Sequence, residues 1–138
     1  MSVQSLNHYN LRVPRTSLAA FEQFYVDVLG FRAERFTRNG IQGFWLYAAG
    51  EPLVHVTQVD TPPDPANSST RAPAHTSGIV DHVAFSCERL DDLLERLDRL
   101  DVSHTRHDFP ELGFVQIVVH DPLGLKIELN FEEGAGPR

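Results

Sequence analysis

Polar and apolar residues alternate along the opening segment. From Leu6 to Val13, Tyr9, Leu11 and Val13 fall on one side and His8, Asn10 and Arg12 on the other, which is the period of a half-buried strand. Pro14 ends it. Leu18, Phe21, Tyr25 and Val28 then recur at helical spacing, and Leu29-Gly30 closes the segment with a glycine placed as a C-terminal cap. Phe31 to Thr37 reads as a strand, Asn39-Gly40 as a tight hairpin, Ile41 to Ala48 as the returning strand and Pro52 to Val59 as the last strand, with Gly50 marking the turn between them. The first 60 residues thus spell β-α-β-β-β.

Residues 61–78 change character. Pro62, Pro63, Pro65 and Pro73 stand among Ser, Thr, Ala and Asn, the chemistry of a linker. Alternation returns from Ile79 to Cys87, with His82, Ala84 and Ser86 opposite Val83, Phe85 and Cys87. Leu90, Leu93, Leu94, Leu97 and Leu100 form an apolar stripe on an otherwise charged helix. Ser103 to His107 reads as a short strand, and Phe114 to His120 is strongly β-forming. Asp121-Pro122-Leu123-Gly124 is a turn, Leu125 to Phe131 closes the sheet, and residues 133–138 are a frayed tail. Residues 79–132 therefore repeat the first unit. The expected fold is α+β: two tandem βαβββ modules whose sheets form an open, barrel-like cup within one structural domain.

The repeat carries chemistry. His8 and His82 lie 74 residues apart, His55 and Glu128 lie 73 apart, and each sits in matching local text: Asn7-His8-Tyr9-Asn10-Leu11 against Asp81-His82-Val83-Ala84-Phe85, and Leu53-Val54-His55-Val56 against Lys126-Ile127-Glu128-Leu129. Alternation points all four away from the helix-covered side. Three imidazoles and one carboxylate brought together hold a divalent ion such as Ni, Zn, Fe, Co or Mn, rather than Mg or Ca. Four protein ligands leave two positions of a six-coordinate ion for adjacent substrate oxygens.

Bulk properties exclude several other classes. The formal charge is −7 with no basic run, which argues against nucleic acid and against anionic lipid as partners. The single cysteine, Cys87, permits no intramolecular disulfide and alternates onto the core face, so burial is expected rather than nucleophilic use. With no signal peptide or membrane-length apolar run, the expectation is a cytoplasmic protein. His75, His104, His107 and His120 lack symmetric partners and read as loop or surface groups, with His107 the one conceivable acid–base residue among them. Phe44, Trp45 and Tyr47 either line the ligand face or fill the core; periodicity leaves both open.

Taken together, these residues resemble the vicinal oxygen chelate superfamily, which includes glyoxalase I, fosfomycin-resistance thiol transferases, methylmalonyl-CoA epimerase, extradiol dioxygenases and bleomycin-resistance proteins. The likeness rests on Asn7 through Val13, on Phe24-Tyr25 through Val28-Leu29-Gly30-Phe31, on Val80 through Phe85, and on Asp121 through Leu129. The resemblance implies a glyoxalase-I-like homodimer in which His8, His55, His82 and Glu128 hold the metal and Glu128, or His55, moves a proton beside a carbonyl. The small-molecule substrate chelates through vicinal oxygens. Arg12 matches an arginine that grips a glutathione carboxylate in glyoxalase I. His55 departs from the glutamate or glutamine usual at its position, and Val59 stands where a glutathione-binding asparagine is found. Two alternatives stay open, an Fe(II) extradiol ring-cleaving dioxygenase and a non-catalytic drug-binding or resistance protein. The ligands converge either within one chain or across a dimer.

Overall fold

The structure is a computed structural model that describes residues 1–59 and 80–132. The linker expected over residues 61–78 and the tail over 133–138 lie outside these. The chain divides into two compact units, residues 1–74 and 75–138.

In the first unit, β1 (Tyr9–Pro14) leads through a single 3₁₀ turn into α1 (Leu18–Gln23), followed by β2 (Arg32–Arg38), β3 (Ile41–Ala48) and β4 (Glu51–Val59). The strands are ordered β1-β4-β3-β2, with β1 parallel to β4 and the other pairs antiparallel. Both hairpins are tight for a local reason. Asn39 and Gly40 have φ of 53° and 78°, and Ala49 and Gly50 have 50° and 82°, the doubly left-handed geometry that matches strand twist. β1 and β4 end up adjacent although they are separated in sequence, because the helix carries the chain over one face of the sheet.

The helix holds a surprise. Residues Phe24–Val28 form a π-helical turn, with the Leu29 N–H donating to the Phe24 carbonyl, rather than continuing the α-helix that the spacing predicts. The wider turn lets Phe24 and Tyr25, consecutive in sequence, both bury. Gly30, at φ 81°, then reverses the chain, and Phe31 N–H closes onto the Tyr25 carbonyl. Phe21, Tyr25, Phe31, Phe44, Leu46, Val54 and Val56 make the core between helix and sheet.

The second unit repeats the plan: β5 (His82–Cys87), α2 (Leu90–Arg99), β6 (Thr105–Phe109), β7 (Phe114–His120) and β8 (Lys126–Glu132), in the order β5-β8-β7-β6 with β5 parallel to β8. Leu93 and Leu97 of the apolar stripe are buried with Ile117, Val119, Ile127 and Leu129. The β7–β8 turn is fixed by Asp121, which is itself buried. Its Oδ1 accepts the Leu123 and Leu125 N–H groups at 2.9 and 3.0 Å, so the Asp-Pro-x-Gly motif is a device of the fold. No helix among the described residues is long and apolar enough to cross a membrane.

Candidate metal centre

Strand pairing sets the two candidate pairs. In the first unit Asn10 is the register partner of His55, and His8 lies two residues before Asn10, so His8 and His55 share a face on neighbouring strands. In the second unit Ala84 is the partner of Glu128, and His82 lies two residues before Ala84. The two pairs thus occupy equivalent places in their sheets. Both faces are the ones away from the helix: Val54, Val56, Ile127 and Leu129 are buried on the other side.

Each imidazole on a first strand is held by the residue before it. His8 Nδ1 donates to the Asn7 carbonyl oxygen Oδ1 at 2.7 Å. His82 Nδ1 donates to Asp81 Oδ2, also at 2.7 Å, and that bond, with the nearby Lys126 ammonium, keeps the exposed Asp81 carboxyl below its ordinary range. Fixing the proton on Nδ1 presents the Nε2 lone pair outward, the arrangement that outer partners of metal-ligating histidines impose. Neither bracing residue was foreseen, although the matched Asn7-His8 and Asp81-His82 dipeptides carried the signal.

His82 Nε2 lies 3.5 Å from Glu128 Oε2. The same Glu128 oxygen accepts from Gln116 Nε2 at 3.1 Å, and Gln116 also donates to Asn130 Oδ1 at 3.1 Å. Lys126 Nζ stands 3.7 Å from Glu128 Oε1. The carboxylate is 15% exposed and is held by the Gln116 amide and the Lys126 ammonium.

His55 has a different setting. Its ring stacks on Trp45 with centroids 4.0 Å apart and planes 5° from parallel, and Phe36 packs against it at 5.2 Å. His8 meets the same indole edge-on at 5.1 Å. Phe36 finds room because its cross-strand partner is Gly43, where a Cβ would stand 2.6 Å from the Phe36 ring. Desolvation, aided by the neighbouring His8, pushes the His55 pKa down, which favours the neutral, ligating imidazole. Asn10 donates to Thr57 Oγ1 at 2.8 Å, and that hydroxyl is 3.5 Å from His55 Nε2.

The other candidates are also placed. Trp45 belongs to the ligand face and Phe44 to the core, while Tyr47 lies under the Arg32 guanidinium, 4.4 Å from its centroid. Arg12 is exposed on the His8 and Asn10 side of β1. His107 is exposed and pairs with Gln116, His120 ends β7, and His104 Nδ1 donates to the Val102 carbonyl. His75 lies outside the described residues. Cys87 is half-buried, and burial raises its thiol pKa to about 11. Within either unit, among the described residues, no three His, Cys, Asp or Glu side chains gather to hold a metal ion. Each unit offers two.

The donors, two imidazoles in the first unit and an imidazole with a carboxylate held by an amide and an ammonium in the second, fit a borderline divalent ion. Two βαβββ sheets thus carry these donors at equivalent register positions, the plan of a duplicated α+β fold. Residues 5–129 match the model of the Glyoxalase/Bleomycin resistance protein/Dioxygenase superfamily, and the chain belongs to that family. The fold is shared with the glyoxylase/bleomycin resistance protein/dioxygenase domain from Frankia sp. EAN1pec, at 20% identity over 98% of this chain and 96% of that one, with a TM-score of 0.69. It is shared with the trypanothione-dependent glyoxalase I of Leishmania major, at 21% identity over 92% and 86%, TM-score 0.64. It is shared as well with TnmS3, an antibiotic-binding protein from Streptomyces sp. CB03234, at 18% identity over 96% and 99%, TM-score 0.64. Comparison with curated proteins gave no match.

Proposed function

We propose that the chain is a divalent-metal-dependent enzyme of the glyoxalase-I-like type, a lyase or isomerase that moves a proton next to a carbonyl of a small substrate bearing vicinal oxygens. The observation that carries this reading is the equivalence of the two ligand pairs: His8 with His55 and His82 with Glu128, at the same register positions of duplicated sheets. The four residues together hold one ion, within a protomer or across a homodimer. Bound there, the ion supplies a Lewis acid with open positions for two substrate oxygens. Glu128 takes the proton from the carbon beside the carbonyl and returns it, and Gln116 and Lys126 aim its carboxylate. His55, kept neutral by its surroundings, completes the ligand set and is the second candidate for proton transfer. Arg12, on the His8 side of β1, attracts an anionic group of the substrate. The single cysteine, which permits no intramolecular disulfide, supports a reducing, cytoplasmic setting, and the acidic net charge supports small-molecule rather than nucleic-acid or anionic-membrane partners.

Substituting Glu128→Gln is expected to abolish turnover of a 2-oxoaldehyde hemithioacetal or a comparable hydroxy-ketone while thermal unfolding stays close to that of the parent. Full retained activity removes the role given to Glu128. Two competing readings make different demands. A ring-cleaving dioxygenase needs positions for dioxygen as well as a diol, which a fourth protein ligand at His55 takes up; oxygen consumption with a catechol favours it. A binder of aromatic drugs gains some support from the Trp45 and Phe36 rings on the ligand face, and it predicts tight ligand binding without any metal. Mixing a His8→Ala/His55→Ala chain with a His82→Ala/Glu128→Gln chain restores one good site only if the ligands come from two protomers.

A further inference from the structure

The three histidines given to the metal are oriented by two different kinds of force. His8 and His82 are each tied through Nδ1 to a side-chain oxygen at 2.7 Å. His55 is not. Among the described residues the one hydrogen-bonding atom near its ring nitrogens is Thr57 Oγ1, at 3.5 Å, the outer limit of such a contact. The imidazole torsion is intrinsically broad, so something else must choose its angle. The near-parallel stack on Trp45, at 4.0 Å and 5°, and the Phe36 ring at 5.2 Å make that choice.

We propose that Trp45 is a positioning residue for His55, holding the imidazole plane in the orientation needed for ligation and acting as the optical reporter of that ligand. The proposal rests on the metal reading above and adds a residue to it. Trp45 is suited to both tasks. It is the register partner of His55 on the adjacent strand, it also carries His8 against its edge, and it is the sole tryptophan of the chain. Aromatic stacking at this geometry favours one rotamer well, so losing the indole releases the ring and weakens the site without removing a donor atom.

The test uses the full chain and Zn(II) or Co(II) alone as probe, with affinity read by chelator competition. Trp45→Leu is expected to weaken binding roughly 3- to 10-fold, and Trp45→Phe to restore most of it. In a His55→Ala background Trp45→Leu is expected to cost clearly less, because only the edge contact with His8 remains to be lost. Independently of any change at position 45, Zn(II) is expected to alter indole emission in the parent, and His55→Ala is expected to remove most of that change while Zn(II) still binds, the remainder coming through the edge contact with His8. Unchanged affinity in Trp45→Leu, an equal loss in the His55→Ala background, or emission that ignores Zn(II) binding overturns the role of Trp45. A parent chain that binds neither metal overturns the metal reading itself, a result separate from these.

Discussion

His55 and Glu128 hold equivalent places, each on the last strand of its sheet beside the first, yet their surroundings differ in kind. Around His55 stand Trp45 and Phe36, and burial keeps the ring neutral. Around Glu128 stand the Gln116 amide and the Lys126 ammonium, a donor and a charge, with His82 Nε2 beside them. The substitutions that create the difference are few. Gly43, which leaves room for the Phe36 ring, is answered by Gln116, which grips the carboxylate in the second. Trp45 is answered by Val118, each the register partner of its ligand strand. A duplicated frame has thus been furnished once with aromatic packing suited to a neutral ligand and once with polar contacts suited to an anionic one. Removing an anion from water without hydrogen bonds costs far more than doing so for a neutral imidazole.

The contrast can be broken from the side of the braces. Asp81→Ala should weaken metal binding about 10- to 100-fold, since it removes the charged partner that orients His82. Asn7→Ala should do less, because the equivalent brace on His8 is neutral and its hydrogen bond weaker. Calorimetric titration with Zn(II) measures both; equal losses would contradict the greater weight given to the charged brace.

A smaller effect is expected on stability. Gly43→Ala drives a methyl group against the Val56 carbonyl and to 2.6 Å from Phe36, so it should destabilise the chain by roughly 1–3 kcal/mol in denaturant unfolding. It should also displace the Phe36 ring from His55. A variant as stable as the parent would show that the close approach of Phe36 is not required.

The smallest expected effect separates the units at alkaline pH. Cys87 occupies the place on β5 that Val13 holds on β1, and burial raises its thiol from 9.0 to about 11. The folded chain binds this proton more tightly than the unfolded chain, so the contribution is fully present below about pH 9 and is lost as pH rises through about 11. Cys87→Ala should flatten that part of the stability curve, and the parent thiol should react slowly with iodoacetamide at pH 8. Rapid alkylation of the folded chain would contradict the burial assigned to it.

Much of this architecture was legible from periodicity. Alternation located β1, β5 and β8 and put all four candidates on the side away from the helix, because a two-residue period leaves no other choice once the apolar face is known. The Asn39-Gly40 turn was equally plain. The aromatic setting of His55 was not, and the reason lies in one irregularity. Counting back from the Ala49-Gly50 turn pairs Ala48 with Glu51 and Tyr47 with Pro52, and an unbroken ladder would then set Phe44 against His55. A bulge between Leu46 and Tyr47 shifts the register and sets Trp45 there instead. Nothing in the order of Phe44 and Trp45 announces that slip. The π-helical turn at Phe24–Val28 was hidden for a similar reason: it arises from the demand to bury two consecutive aromatic rings, which a helical stripe does not record.

Anomalous diffraction from crystals grown with Zn(II) or Ni(II) tests the central claim most directly. The account predicts one ion bound by His8 and His55 together with His82 and Glu128, from a single chain or from two protomers. An ion coordinated by other residues, or bound to one pair without the other, would contradict it.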